Sequence, residues 1–229
     1  MSLTLVGSIH SDFDEIPRLR EVLAEEQPNI IFLEGSEVWG RVNERIDRQI
    51  AKRLKRANLD KSVKNWHINY YKNWRFEHRE ARSYASTNKG TRIEYLEPDP
   101  IMPPTQKLET WVQKTIDETI DKIIQGGQSG VDEARQQAGL RIPHMRSVIE
   151  RVLEDPNYEF NELEPIGDVA GLRDRVMSDT LLRKVEQHLD QHILVITGLG
   201  HIVGNVRRAS MYSLICHLEP KRVFLPLEK

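Results

Sequence analysis

The segment Ile193-Leu194-Val195-Ile196-Thr197-Gly198-Leu199-Gly200-His201 begins with five aliphatic or β-branched residues and ends with a glycine-rich turn and a histidine. Such a run, followed by residues at helical spacing, predicts a buried strand, a tight turn and a helix. Near the start of the chain, Leu3-Thr4-Leu5-Val6 leads in the same way into Gly7-Ser8-Ile9-His10. The two Gly-x-x-His turns therefore place two imidazoles at the carboxyl ends of two strands.

The residues between these turns predict an α/β fold. A helix over 12–26 separates the first strand from the short apolar strand 30–33, which makes a βαβ unit and leads into Glu34. Further strands are predicted at 93–96 and 222–227, and helices at 37–88 and 167–189. We expect a largely parallel or mixed sheet of about five strands flanked by helices. Ligands gather at the carboxyl ends of parallel strands, so His10, Glu34 and His201 are expected on one rim of the sheet.

The segment from about 100 to 165 has a different character. Prolines stand at its two borders, Gly126-Gly127 interrupts it, and its helices carry few large apolar residues. It predicts a helical insertion within a single domain that spans 1–229. Such an insertion can cover the rim as a lid or form the contact of a homo-oligomer.

Composition and charge limit the classes of protein to which the chain can belong. The chain has 229 residues, a formal net charge of -2 and one cysteine, Cys216, so no disulfide can form within it. No apolar run approaches the ~18 residues that a membrane helix needs, and no signal peptide is apparent. We expect a soluble, cytoplasmic protein with no membrane span.

One segment, 45–72, is basic and ends among aromatic residues. Basic residues with interleaved aromatics can bind nucleic acid, but they also occur in helices whose cations cover an aromatic core. Acidic residues at 44, 47 and 60 interrupt or flank the basic residues. They favour the second interpretation, and no nucleic-acid partner is expected.

His10, Glu34 and His201 suit two kinds of site. Neutral imidazole binds divalent metals and also transfers protons near neutral pH. Two histidines with a strand-terminal carboxylate can form a metal site with open positions for water, or an acid/base site without metal. Their matching strand-turn-helix contexts favour a functional role over a structural one. By composition alone, Glu77, Arg173 and Asp174 are ordinary helix charges.

Five motifs follow one another along the chain. The first two are Gly-x-x-His at 7–10 and a Pro-Asn-hydrophobic run that ends in Glu at 28–34. They are followed by a predicted helix with Glu77, Ala81 and Ala85, by Arg-Asp-x-x-Met at 173–177, and by Gly-x-Gly-His-x-x-Gly at 198–204. In this order they resemble the TraB/PrgY and TIKI-type superfamily, whose wider relatives include erythromycin esterases. Asn29 stands where relatives commonly have Asp, and Gly35-Ser36 follows Glu34 where relatives often have Leu-Asp, so the rim after the second strand is less acidic here.

The resemblance implies a hydrolytic site. His10, Glu34 and His201 would activate water for attack on the carbonyl of a peptide or of a small ester or amide. In a metal-dependent, peptidase-like version, a divalent ion such as Mn, Co or Zn would be bound by these three residues. Arg173 would bind a substrate carboxylate or stabilise an oxyanion, oriented by Asp174 or Glu77.

Three alternatives remain open at the level of sequence. The same pocket can capture a peptide or a small signal without cleaving it, as a role of the PrgY type would require. The chain can also be a scaffold that forms a homo-oligomer through its helical insertion. Phosphoryl hydrolysis ranks lower, because the chain has neither a P-loop lysine nor a dense aspartate cluster.

Overall fold

In a computed structural model of the chain, the described residues are 2–99, 105–155, 168–203 and 210–227. They form five strands and seven α-helices in the order β1 (Ser2–Ser8), α1 (Ile16–Glu26), β2 (Ile30–Leu33), α2 (Glu37–Leu54), α3 (Lys61–Asn73), α4 (Phe76–Thr87), β3 (Arg92–Tyr95), α5 (Thr105–Glu154), α6 (Asp168–Gln187), β4 (His192–Gly198), α7 (Met211–Ile215) and β5 (Lys221–Phe224). Both ends of the predicted insertion, at 100–104 and 156–165, lie outside the described residues, as does Gly204 of the last motif.

The five strands form one parallel sheet in the order β3-β2-β4-β1-β5. The predicted α/β class and parallel sheet are thus confirmed. β4 lies between β1 and β2, with Ser8 opposite Gly198 and Leu33 opposite Ile196. Because β1, β4 and β2 are adjacent and parallel, the residues that follow them emerge side by side on one rim.

Helices cover both faces of the sheet, which explains the continuous apolar runs of the strands. Successive residues of β4 alternate between the two faces. Ile193 and Val195 pack in a core with residues of α5 and α6, whereas Leu194 and Ile196 pack in a second core with residues of α1 and α4. The central strands are therefore buried on both sides, and only their ends are open to ligands.

The long helix α5 is interrupted at Gly127, whose φ of 49° and ψ of -136° are not helical. The predicted glycine break therefore falls at the expected position. The first half of α5 packs against α2 in a separate core. The second half contributes Met145, Val148, Ile149 and Val152 to the core on one face of the sheet. This half of the predicted insertion is part of the main fold.

The aromatic residues of the basic segment stack along α3. Trp66 and Tyr70 lie 5.4 Å apart between ring centroids, and Tyr70 and Trp74 lie 5.1 Å apart. Tyr70 also makes an edge contact with Phe13, in the loop after β1. The stack joins α3 to the loop that carries His10. Over the described ranges, none of the helices combines the length and apolar character that crossing a membrane requires.

Gly7 is the first residue of the amino-terminal turn motif, and a substitution there tests how closely β1 packs against the turn after β4. A Cβ at this position would lie 2.5 Å from Ile202 Cδ1 and 3.1 Å from Leu199 Cδ1, and both neighbours are buried. We expect Gly7→Ala to lower the free energy of unfolding by about 1–3 kcal/mol, because overpacking forces buried side chains to move. Urea unfolding measures the change.

The matched control is Gly90→Ala, where an added Cβ would meet no atom within 4 Å. Its free energy of unfolding should change by less than about 0.5 kcal/mol. Equal stabilities of the two variants would contradict the close packing described for Gly7.

Candidate active site

Three adjacent strands and two helices bring all six predicted site residues together. His10 follows β1, Glu34 follows β2 and His201 lies in the short 3-10 turn after β4. Glu77 is in the first turn of α4, while Arg173 and Asp174 lie in α6. The expected convergence at one rim is therefore what the fold produces.

His10 is oriented by Glu77. Its Nδ1 lies 2.7 Å from Glu77 Oε1, which also accepts a hydrogen bond of 2.6 Å from Ser8 Oγ. Glu77 is only 3 % exposed, whereas 45 % of the His10 side chain is exposed. Because an ionised carboxylate can only accept, Nδ1 carries a proton, and Nε2 is the atom that can exchange a proton with a ligand.

His201 is oriented in the same way by Asp174. Its Nδ1 lies 2.5 Å from Asp174 Oδ1, and both side chains are largely buried. The two imidazoles therefore share one arrangement, with a buried carboxylate fixing Nδ1 and leaving Nε2 directed elsewhere. A carboxylate behind an imidazole fixes its tautomer and stabilises its protonated form.

Glu34 lies between the two histidines. His10 Nε2 is 3.7 Å from Glu34 Oε2, and His201 Nε2 is 3.4 Å from Glu34 Oε1. Oε2 also accepts hydrogen bonds from Thr197 Oγ1 at 2.8 Å and from the Gly198 N–H at 2.6 Å. The end of β2 is thereby tied to the turn at the end of β4.

Arg173 is held by two carboxylates. Its Nη2 lies 2.8 Å from Glu34 Oε1 and 2.5 Å from Glu97 Oε1, and its Nε donates to the same Glu97 oxygen. These orienting partners differ from the expected ones, because Asp174 and Glu77 each hold a histidine instead. In the described part of the chain, Nη1 takes part in neither ion pair, so it is the guanidinium nitrogen that we assign to a ligand.

The charges of the site stabilise one another. Burial lowers the pKa of His201, but its hydrogen bonds and charge interactions with Asp174 and Glu34 outweigh this effect and raise the pKa to about 9. Burial likewise opposes protonation of His10, yet the hydrogen bond and charge of Glu77 raise its pKa above the usual value. Despite burial, His201, His10 and Arg173 hold the pKa of Glu34 well below its usual range. At neutral pH, His201 is an imidazolium and Glu34 a carboxylate.

A cavity of about 260 Å³ opens beside these groups. His10, Glu34, Glu77 and Arg173 are among its lining residues, together with Trp39, Trp74 and His78. Burial lowers the pKa of His78 to about 4, so this third imidazole is neutral at pH 7. The space accommodates a small reacting group with water beside it.

A divalent ion bound by His10, Glu34 and His201 does not fit this arrangement. A carboxylate has about four lone-pair positions, and the side chains and backbone around Glu34 already occupy them: Thr197 and Gly198 at Oε2, Arg173 and His201 at Oε1. An ion would also face the guanidinium cation. Among the described residues, no group of three or more His, Cys, Asp or Glu could hold a metal. The Mn, Co or Zn centre stays a prediction from the resemblance.

Several supporting residues were not identified from the sequence. Ser8 and Thr197 are polar residues within apolar strands, and both hydrogen-bond to site carboxylates. Glu15 is buried, and its carboxyl oxygens accept the Ile9 N–H at 3.0 and 3.3 Å. Burial raises the pKa of Glu15 to about 9, so a neutral carboxyl group fixes the turn that carries His10. For Ser8 and Thr197, the sequence signal was a polar residue within an otherwise apolar strand.

Comparisons with models of protein families, with curated proteins and with solved structures give no match for this chain. The resemblance to the TraB/PrgY and TIKI-type superfamily therefore remains a prediction.

A substitution of Gly198, the last residue of β4, tests how the position of His10 beside Glu34 is determined. A Cβ on Gly198 would lie 2.8 Å from His10 Nε2 and 3.3 Å from Glu34 Oε2. Gly198→Ala should displace the half-exposed His10 ring and move the pKa of His10, as measured by NMR titration. We expect a stability loss below about 1 kcal/mol, because this ring can swing outward.

Gly200→Ala in the same turn is the control, since an added Cβ there meets no atom within 4 Å. It should leave the His10 titration unchanged. Identical His10 titrations in all three proteins would show that Gly198 does not determine the position of the ring.

The pKa of His201 predicts how stability depends on pH. A folded-state pKa of about 9, above the unfolded value of about 6.5, contributes stability that is complete below pH 6.5. That contribution is lost as pH rises through about 9. Asp174→Asn keeps the shape but removes the charge, so it should lower the pKa of His201 and reduce the loss of stability between pH 6 and 9.5. NMR titration and urea unfolding at both pH values measure these effects.

Asp179→Asn removes an exposed charge from the same helix and should leave both quantities as in the wild type. If the His201 titration is the same in Asp174→Asn as in the wild type, Asp174 is not the group that holds the proton on His201.

Proposed function

We propose that this protein is a hydrolase that cleaves an amide or ester bond in a peptide or small ester or amide. The observation that carries the proposal is the pair of histidines, each fixed at Nδ1 by a carboxylate and each with Nε2 within 3.7 Å of an oxygen of Glu34. Such groups, beside a cavity, suit proton transfer to and from a bound reactant. The resemblance described above implies the same reaction class.

His10 is the general base of the proposed reaction. Its side chain is half-exposed and lines the cavity, and Glu77 stabilises the positive charge that it gains. Nε2 takes a proton from water while the water oxygen forms a bond to the substrate carbonyl carbon. The same proton then passes to the leaving oxygen or nitrogen as the carbon–heteroatom bond breaks, which gives a carboxylic acid and an alcohol or amine.

Arg173 stabilises the negative charge that develops on the carbonyl oxygen, and His201 supports it by fixing Glu34, with which both cations pair. His201 is an imidazolium at neutral pH, and Arg173 presents Nη1 beside its two ion pairs. Fixed cations in a partly desolvated site stabilise an oxyanion more strongly than water does.

Glu34 acts as an anchor in this mechanism. Its oxygens are occupied by Thr197, Gly198, Arg173 and His201, so it is poorly suited to take a proton from water. Its charge instead fixes both cations in position. This role differs from that of ligand or base, which the resemblance implied.

The test is a screen of the purified protein against 4-nitrophenyl esters, aminoacyl 4-nitroanilides and short peptides. His10→Gln should lower kcat/KM by about 10²- to 10⁴-fold, because general-base catalysis is lost. His201→Gln should lower kcat by about 10²-fold, because it removes the charged partner of Glu34 that keeps Arg173 in place, and a misplacement of about 1 Å has an effect of this size. His217→Gln, which changes an exposed histidine near the carboxyl terminus, is the matched control and should retain full activity.

Two further measurements distinguish this mechanism from a metal-dependent one and from peptide binding without cleavage. Turnover should be unchanged by a chelator and by added Mn, Co or Zn; loss with chelator and recovery with one ion would support a metal-dependent mechanism. Wild-type turnover in the His10→Gln and His201→Gln variants would overturn the proposal. Binding of a peptide without cleavage, dependent on these residues, would support capture instead.

A further inference from the structure

A second, larger cavity adjoins the candidate active site. It has a volume of about 610 Å³ and lies among α2, α3 and α4. Gly40, Trp74, Arg75 and His78 line both this cavity and the one beside His10. A molecule whose reacting group lies near His10 can therefore extend into the larger space, which we call the basic cavity.

The basic cavity carries an excess of positive charge. Seven of its lining residues are Lys or Arg and two are acidic. One of the acids, Glu44, already pairs with Arg82. The other, Asp47, forms no ion pair within the described part of the chain, and burial raises its pKa to about 6. The lining acids thus leave most of the positive charge uncompensated.

Five of the cations form no ion pair with an acid among the residues that the structure describes: Arg48, Lys52, Lys55, Lys72 and Arg75. Cations clustered around a concave surface raise the local concentration of anions. Tyr71, Trp74 and Ile68 supply apolar surface between them. This combination suits a small organic anion.

Arg75 connects the two cavities and is the most unusual of these residues. Its φ of 62° lies in the left-handed region, which non-glycine residues other than Asn and Asp seldom adopt. Its Nη1 is buried and has no hydrogen-bond partner in the described structure. A buried guanidinium nitrogen without a partner is costly, and backbone strain of this kind clusters at ligand sites. Because Arg75 also lines both cavities, an anion bound at their junction would supply a counter-charge for this guanidinium.

Gly40 is part of the wall that the two cavities share. A Cβ on this residue would lie 3.7 Å from each of His78 Nδ1, Arg82 Nη2 and Tyr95 Oη. Those distances are ordinary van der Waals contacts, so an alanine would just fit, whereas a longer side chain would press on these three groups.

We propose that the basic cavity binds a carboxylate or phosphate group of the substrate, so that the protein selects anionic esters or amides over neutral ones. The inference rests on the proposed hydrolase function and adds a substrate class to it. Arg75 contacts the anion at the junction of the two cavities, and Lys52 and its neighbours supply the surrounding positive charge. Arg75 is thus a residue that determines specificity, apart from the groups that transfer protons.

Matched substrates test this selectivity. Mono-4-nitrophenyl succinate and 4-nitrophenyl butanoate differ by a carboxylate on the acyl side, and 4-acetoxybenzoate and 4-methylphenyl acetate differ by one on the alcohol side. The wild type should favour one anionic member by about 10-fold or more in kcat/KM, since hydrogen bonds to charged groups are the stronger ones. Calorimetric titration with inorganic phosphate, succinate and neutral succinamide measures binding without turnover and distinguishes phosphate from carboxylate.

Three variants accompany the substrates. Arg75→Asn removes the guanidinium and places a residue that tolerates the left-handed conformation, and Lys52→Gln removes an exposed cation with little risk to folding. Each should reduce the preference for the anionic substrate severalfold and weaken binding of the anion. Lys61→Gln removes one positive charge from the start of α3, outside the basic cavity, and should retain the wild-type preference.

The outcomes separate this inference from the proposed function. Turnover with no preference for the anionic member of either pair, and no binding of phosphate or succinate, would overturn the basic cavity as an anion site and leave the hydrolase. No turnover, but anion binding that Arg75→Asn abolishes, would overturn the hydrolase and leave the anion site. A preference equally reduced in Lys61→Gln would assign the effect to net charge and contradict a site at Arg75.

Discussion

The carboxylate of Glu34 is the interaction on which the rest of the site depends. It receives donors from the end of β4 and from α6, so one side chain joins the neighbouring strands to the helix that covers them. It is also the counter-ion that keeps His201 protonated and Arg173 in place. A buried carboxylate is stable only when its desolvation is offset by such partners. The interactions of Glu34 therefore stabilise the positions of His201 and Arg173 and, at the same time, the packing of α6 on the strands.

Much of the fold could be predicted from the sequence because the local signals were strong. The apolar strands and the glycine turns specified where His10, Glu34 and His201 would lie along their strands, and parallel pairing then placed them on one rim. The order of the strands in the sheet was harder to predict from the sequence. Nothing local indicates that β4 lies between β1 and β2, because that position follows from long-range packing of helices on both faces.

The contacts within the site were the part that sequence could not supply. Glu77 and Asp174 were expected beside Arg173, yet each pairs with a histidine, because those pairings depend on the rotation of α4 and α6 about their axes. Apolar character does not mark the buried face of α6 either, since Leu172 is 64 % exposed. Asp174 occupies a buried position instead, since the hydrogen bond to His201 compensates for burying its charge. The left-handed backbone of Arg75 had no sequence signal either, because arginine does not favour it.

The strand order has a consequence for the order of assembly. Both neighbours of β1 in the sheet, β4 and β5, come from the last part of the chain, from residue 192 onward. During synthesis β1, which leads into His10, has neither of these neighbours to pair with until residues 192 and beyond have emerged. Contacts between such distant segments slow folding, because the loop between them must be closed first. Glu34 and His10 are synthesised early, but the turn that carries His201 follows β4, so the three groups cannot come together before β4 has been synthesised.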